Sequence, residues 1–182
     1  MIVTIDPGVR FTGVAVWDHH QNRYYLRRAH LVKNTEKNLA QSVVDVSCAA
    51  FIGGYEYAAV VIELPQVYGV DKSKGDPNDL IAVAAVAGAI MERYASLAPV
   101  KEKLFILPAE WKGQVKKIVT KNRCLADLKP REMDNVMLVQ SAKQNENIFD
   151  AIGIGLWYLH RHKLRSASPE RSMDRLSDKH VN

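Results

Sequence analysis

Ile2-Val3-Thr4-Ile5-Asp6-Pro7-Gly8-Val9-Arg10-Phe11-Thr12-Gly13-Val14-Ala15-Val16-Trp17 is the stretch that decides the fold. Both arms are rich in β-branched residues, which suit a pleated, half-buried surface. Asp6-Pro7-Gly8 separates them with turn chemistry. The stretch therefore predicts strand, tight turn, strand. The polar run Asp18–Asn22 turns into a third strand, Tyr24–Val32, which carries Arg27 and Arg28. Three consecutive antiparallel strands are expected to open the chain.

Downstream the apolar period lengthens from two to three or four, the change that marks helices. Leu39, Val43, Val46 and Ala50 share one helical face, with Asn34 or Thr35 as the cap and Gly53-Gly54 at the end. Ala58–Ile62 is continuously apolar, as a strand buried on both faces would be, and it ends on Glu63. After a loop over 64–75, Asp76-Pro77 begins a helix that runs through Met91 to Tyr94. Leu104–Leu107 reads as a fifth strand. Pro108–Arg123 reads as a basic helix or helix and loop, and Arg131–Ser141 as helix. The last strong helix spans Glu146–His162, with Ile148, Ile152, Leu156 and Leu159 in register. Beyond it the periodicity is lost. The expected organisation is a folded domain over 1–162 and a disordered, basic tail over 163–182, with no internal repeat. This order predicts an α/β fold: one five-stranded mixed sheet, three antiparallel strands followed by parallel ones, with helices on both faces.

Composition agrees. The 182 residues are 47% hydrophobic and 25% charged, the balance of a folded protein rather than a disordered or fibrous one. A single core at this length buries roughly 70% of the unfolded surface, so neither disulfides nor a structural metal are required. Cys48 lies in an apolar helical pattern and Cys124 beside a basic stretch, with no C-x-x-C pair or secretory leader. A reducing, cytoplasmic setting is expected. The apolar run Leu80–Met91 is shorter than the roughly 18 to 20 residues of a membrane span, so it predicts a buried helix and no membrane association. The net charge of +5 is unevenly placed: residues 101–131 carry nine basic against three acidic side chains. Such a stripe is either a solvated helix face or a footprint for a polyanion, nucleic acid first.

Three acids end or begin core elements, where a lone carboxylate is expensive to bury. Asp6 ends the first strand, Glu63 ends the fourth, and Asp150 falls in the first turns of the expected final helix. Each has a plain reading: an Asx turn at Asp6, a loop acid at Glu63, a helix-dipole partner at Asp150. Their joint placement favours more. Adjacent strand ends share a crevice in α/β sheets, and a divalent cation relieves the repulsion of clustered carboxylates. Oxygen-only donors suit Mg²⁺ or Mn²⁺ rather than zinc. A pair of such ions catalyses phosphodiester cleavage, which points to a nuclease.

Asp6-Pro7-Gly8-x-x-x-Thr12-Gly13, Ile62-Glu63 at the end of a buried strand, and Asp150-Ala151-Ile152-Gly153-Ile154 together resemble the RuvC-type Holliday junction resolvases of the ribonuclease H-like superfamily. The resemblance covers about Ile2 to His162. It implies a five-stranded mixed sheet, a homodimer, and symmetric nicking of four-way DNA junctions with two Mg²⁺ or Mn²⁺ ions per site. It implies further that Asp6 bridges the two ions, with Glu63 a ligand to one and Asp150 to the other. Three residues before Asp150 the family has an acid or a histidine; here Asn147 stands in that catalytic position, so either the second ion binds weakly or Glu146 substitutes. Lys112 and Lys116 are the foremost matches to the family's basic residues at the scissile phosphate, with Lys117, Lys121 and Arg123 on the DNA arms. Arg10 either reaches a phosphate or covers the turn. Tyr68 either stacks on an unpaired base or packs on its own loop.

Trp17, Trp111 and Trp157 read as packing residues, the six histidines are assigned to no metal, and no organic cofactor is expected. Three other functions bear weighing. A non-cleaving binder of branched DNA is favoured by Asn147. A ribonuclease H-like enzyme processing RNA fits the same acids. A phosphotransferase of the actin-like fold needs a second copy of the domain, for which the chain is too short.

Overall fold

The computed structural model describes residues 1–21, 23–34, 38–66 and 76–165. β1 (Ile2–Asp6), β2 (Phe11–His20) and β3 (Arg23–Lys33) form an antiparallel meander. α1 (Leu39–Ala50) leads into β4 (Tyr57–Glu63), which pairs parallel with β1. α2 (Pro77–Leu97) leads into β5 (Val100–Ile106), which pairs parallel with β4. The sheet order is β3-β2-β1-β4-β5, the mixed five-stranded arrangement the sequence predicts.

Period-two alternation divides the sheet into two faces. Val3, Ile5, Val14, Val16, Val60 and Ile62 pack beneath α1 and α2. Ile2, Ala15, Trp17, Ala59 and Val61 pack beneath α6 (Ala142–Arg161), whose residues Ile148, Ile152 and Ile154 are fully buried. Asp6 has the parity of Ile2, and Glu63 that of Ala59 and Val61. Both acids therefore point to the α6 side.

α6 lies very close to the sheet because glycines admit it. A Cβ on Gly13 would sit 1.9 Å from the Asn147 carbonyl oxygen, and one on Gly155 would sit 2.2 Å from Nε1 of Trp17. The Thr4 hydroxyl fastens the crossing, donating to the Ala151 carbonyl at 2.7 Å while accepting from the Trp17 indole at 3.2 Å.

Several local expectations are corrected. Asn38, not Asn34 or Thr35, caps α1, accepting from the Gln41 N–H at 3.1 Å; Thr35 lies outside the described residues. Asn34 is buried elsewhere, accepting from the Thr12 hydroxyl at 3.1 Å and donating to the Gly8 carbonyl. Cys48 lies in α1, within the apolar helical pattern, and is itself exposed. The basic segment divides into α3 (Pro108–Trp111) and α4 (Lys117–Asp127), with Gly113 between them at φ +62°. The helix expected over Arg131–Ser141 shrinks to α5 (Pro130–Met133). The edge of β3 claims the rest: the Ala29 N–H donates to the Asn135 carbonyl, and the Met137 N–H donates to the Ala29 carbonyl. An uncovered strand edge offers such pairing to any nearby backbone, and capping it blunts aggregation.

α2 spans 21 residues, longer than the apolar run within it, and among the described residues it is long and apolar enough to cross a bilayer. Here Val83, Val86, Ala87, Ile90, Met91 and Tyr94 bury one face of it on the sheet. Past His162 the contacts continue. Leu164 packs on the core, and Arg165 forms a two-toothed ion pair with Glu132 at 2.6 and 2.7 Å.

Candidate active site

β1 and β4 are parallel neighbours with Ile5 opposite Ile62, so Asp6 and Glu63 emerge side by side at the ends of their strands. Above them stands Asp150, the ninth residue of α6. This helix begins at Ala142 with Ser141 as its cap, four residues before the expected start, so Asp150 lies mid-helix rather than near the N-terminal dipole. All three acids are buried, Asp6 and Glu63 at 9% exposure and Asp150 at 3%.

A cation stands among them. Lys112, just past α3, places Nζ 3.1 Å from Asp150 Oδ2 and 3.4 Å from Glu63 Oε2. A single positive charge does not neutralise three carboxylates. Burial, reinforced by the charges of Glu63 and Asp150, holds the Asp6 carboxyl well above its ordinary pKa. Burial also raises Glu63, against the opposing pull of Lys112 and of a hydrogen bond from Trp111. On Lys112, burial acts to lower the pKa, and the three acids together more than offset it, so the ammonium is held above its usual value.

The Asn147 amide is committed to the neighbouring turn, Nδ2 donating to the Phe11 carbonyl at 3.1 Å. With Asn34 it clamps the segment between β1 and β2: Gly8 lies where a Cβ would meet the Phe11 carbonyl oxygen at 2.5 Å. The Thr12 and Gly13 of the strand-one motif thus have distinct tasks, one holding Asn34 and the other admitting α6. Glu146, the expected substitute ligand, instead pairs with Lys117 at 3.2 Å on the surface.

Of the remaining basic residues, Arg10 is exposed on the turn after β1, Lys116 is exposed at the start of α4, and Arg123 is exposed on the same helix. The Lys121 ammonium lies 5.4 Å from the centre of the Phe149 ring. The structure brings Lys112 into the acid cluster and leaves Lys116, Lys117, Lys121 and Arg123 along α4, which packs against α6. Tyr68 lies outside the described residues.

Trp111, read from sequence as a packing residue, is also a site residue: its indole N–H donates to Glu63 Oε2. No local pattern signals this bond, since its partners are 48 positions apart.

The donor set fits a hard divalent cation. It consists of carboxylate oxygens whose desolvation and mutual repulsion such a cation relieves. Among the described residues, no three His, Cys, Asp or Glu side chains are arranged to share a single ion, and Lys112 stands between Glu63 and Asp150. Mg²⁺ asks for less, since it commonly takes one or two carboxylates and fills its other positions with water or substrate phosphate.

No protein-family model matches the sequence, and no curated protein does. Solved structures do match. Thermus thermophilus RuvC in complex with a Holliday junction substrate superposes with a TM-score of 0.54 at 16% identity, covering 92% of this chain and 98% of that one. The fowlpox virus resolvase in complex with Holliday junction DNA gives 0.54 at 16% identity over 88% of this chain and 97% of that one. The yeast mitochondrial Holliday junction resolvase gives 0.52 at 12% identity over 90% and 79%. At these identities the likeness is one of fold: the chain has the RuvC-like, ribonuclease H-type architecture.

Proposed function

We propose that this protein is a metal-dependent, structure-selective endonuclease that nicks four-way DNA junctions symmetrically as a homodimer. The observation that carries the reading is the convergence of Asp6, Glu63 and Asp150 on one crevice with Lys112 among them, on a fold shared with junction resolvases. Asp6, Glu63 and Asp150 would hold Mg²⁺ or Mn²⁺, two ions in the full site, which when bound supply an activated water and neutralise the leaving oxygen. Asp6, whose carboxyl is pushed up by burial and by the charges of Glu63 and Asp150, would gain from a cation and would be the ligand common to both ions. Lys112 compensates charge while the carboxylates are otherwise unmatched, and lies within reach of a phosphate entering the crevice.

Lys116, Lys117, Lys121 and Arg123 on α4, with Arg10 on the turn after β1, flank the acids and take the DNA backbone. Contacts of this kind position a duplex without reading its sequence. A junction has two-fold symmetry, so paired nicks require two sites related by an isologous interface. The outer face of α2 suits that role: Ile81, Ala84, Ala85, Gly88 and Ala89 are exposed, and a Cβ on Gly88 would meet nothing within 4 Å.

The test is a labelled four-way junction incubated with Mn²⁺. Paired symmetric nicks are expected, and Asp6→Asn should retain binding while losing cutting by about 10²- to 10³-fold, the scale seen when a group stabilising transition-state charge is removed. An Asp6→Asn protein that cuts like its parent overturns the metal assignment. A second reading, a junction-binding protein that does not cleave, is favoured by Asn147, an uncharged amide that stands where the resemblance implies an acid or a histidine. Titration calorimetry separates the two, because no heat of Mn²⁺ binding at millimolar concentration would leave only the binding role.

A further inference from the structure

Among the described residues, Lys112 and Trp111 meet Glu63, and both address the same oxygen. Lys112 Nζ lies 3.4 Å from Oε2, and the Trp111 indole N–H donates to that same Oε2. The donors differ in kind. An ammonium contributes a full positive charge that opposes a metal ion at the same carboxylate. An indole N–H is neutral: it orients the carboxylate and leaves its negative charge available.

The indole is also held by shape. β5 runs beside β4 with Ile106 opposite Glu63, and α3 begins two residues later with Pro108, so the chain delivers Trp111 back to the strand end where Glu63 sits. The far edge of the ring fills a notch on α6. A Cβ on Gly153 would lie 2.5 Å from Trp111 Cζ3, 3.2 Å from Cη2 and 3.4 Å from the Thr120 methyl. Gly153 comes one helical turn after Asp150, so the helix that carries one acid also seats the ring that holds another. Lys112 lies 4.6 Å from the centre of the ring, so the same indole supports the cation of the cluster.

We propose that Trp111 is the positioning residue for Glu63: its N–H ties down Oε2 so that Oε1 is presented to a divalent cation, and the Gly153 notch fixes the ring that does so. The proposal rests on the metal-dependent reading above and adds to it a residue that is not itself a ligand. Groups that hold a ligand by its second atom typically matter 10- to 100-fold in metal affinity.

The test compares the parent chain with Trp111→Phe, which keeps an aromatic side chain at this position and removes the N–H together with the pyrrole half of the ring that carries it. Mn²⁺ binding is measured by titration calorimetry and melting temperature in EDTA. The expected result is Mn²⁺ affinity weakened about tenfold with the melting temperature little changed. The Mn²⁺ concentration for half-maximal junction cutting should rise by the same factor, and excess Mn²⁺ should restore cutting. Gly153→Ala provides a second route, because it retains the N–H but displaces the ring, and it should weaken Mn²⁺ binding in the same direction. If both variants bind Mn²⁺ within about twofold of the parent, well short of the 10-fold floor, the proposal is overturned while the nuclease reading stands. If the parent itself binds no Mn²⁺, the nuclease reading fails and the proposal fails with it.

Discussion

Glu132 and Asp6 are carboxylates buried on the α6 side of the sheet, at 4% and 9% exposure, near opposite ends of the strands, and their surroundings differ in almost every respect. Glu132 accepts from Arg165 through both oxygens, and from the backbone N–H groups of Leu26 at 2.8 Å and Lys129 at 2.9 Å. Burial alone would raise its pKa, but these donors more than reverse that, and the carboxyl is held below its ordinary value. Asp6 is pushed the other way by burial and by two more acids, with Lys112 and, more weakly, Lys117 opposing. A matched carboxylate of the first kind organises a fold. An unmatched one of the second kind costs stability, and such groups persist where a ligand is to complete them.

The largest effect that would break this contrast is on stability at the matched centre. Arg165→Met leaves Glu132 buried without its cation, and should destabilise the fold by about 3–5 kcal/mol by urea unfolding, while the folded fraction still cuts junctions. A loss well under 1 kcal/mol would mean that Glu132 is satisfied by its backbone donors alone. At the unmatched centre the sign reverses. Asp6→Asn, the variant expected to lose cutting, should in EDTA stabilise the protein by about 0.5–2 kcal/mol, the usual exchange when a strained functional group is relieved. A destabilised Asp6→Asn would remove the strain argument.

The smallest effect is a pair of opposed pH slopes. For Glu132 the folded pKa is depressed, so its contribution is present above the unfolded value and lost as pH falls through the folded one. The stability gap between parent and Glu132→Gln should therefore shrink on acidification. For Asp6 the folded pKa is raised, so the folded state keeps a proton that the unfolded state has lost, and stability falls as pH rises through that window. In EDTA, the advantage of Asp6→Asn over the parent should widen as pH rises from the acid range. Slopes of the same sign would erase the distinction between the two centres.

Much of the frame was legible in the chain itself. The β-rich run Ile2–Asp6 and the continuous apolar run before Glu63 were enough to put each acid at the end of a strand, and the general rule that strand ends of α/β sheets share a crevice put the two together. Helix boundaries were less legible. The polar turn Lys143-Gln144-Asn145 hid the true start of α6, and with it the mid-helix position of Asp150. The helix expected after Arg131 yielded to β3, whose open edge at Ala29 captured the backbone of Asn135 and Met137. Asn34 looked like a helix cap because side chains of its type favour caps, but its buried partners on the turn after β1 lie more than twenty residues away in sequence.

The site divides in the same way. The chain alone determined the order of strands and main helices, and that Asp6, Glu63 and Asp150 would be acids on core elements. Only the tertiary structure decided that Lys112 is the cation among them, that Asn147 serves the turn at Phe11, and that Trp111 is bonded to Glu63 through a notch left by Gly153. The physical reason is range. Strand and helix patterns repeat over two to four residues and can be read locally, whereas hydrogen bonds and close packing act over a few ångströms between residues that the sequence places far apart.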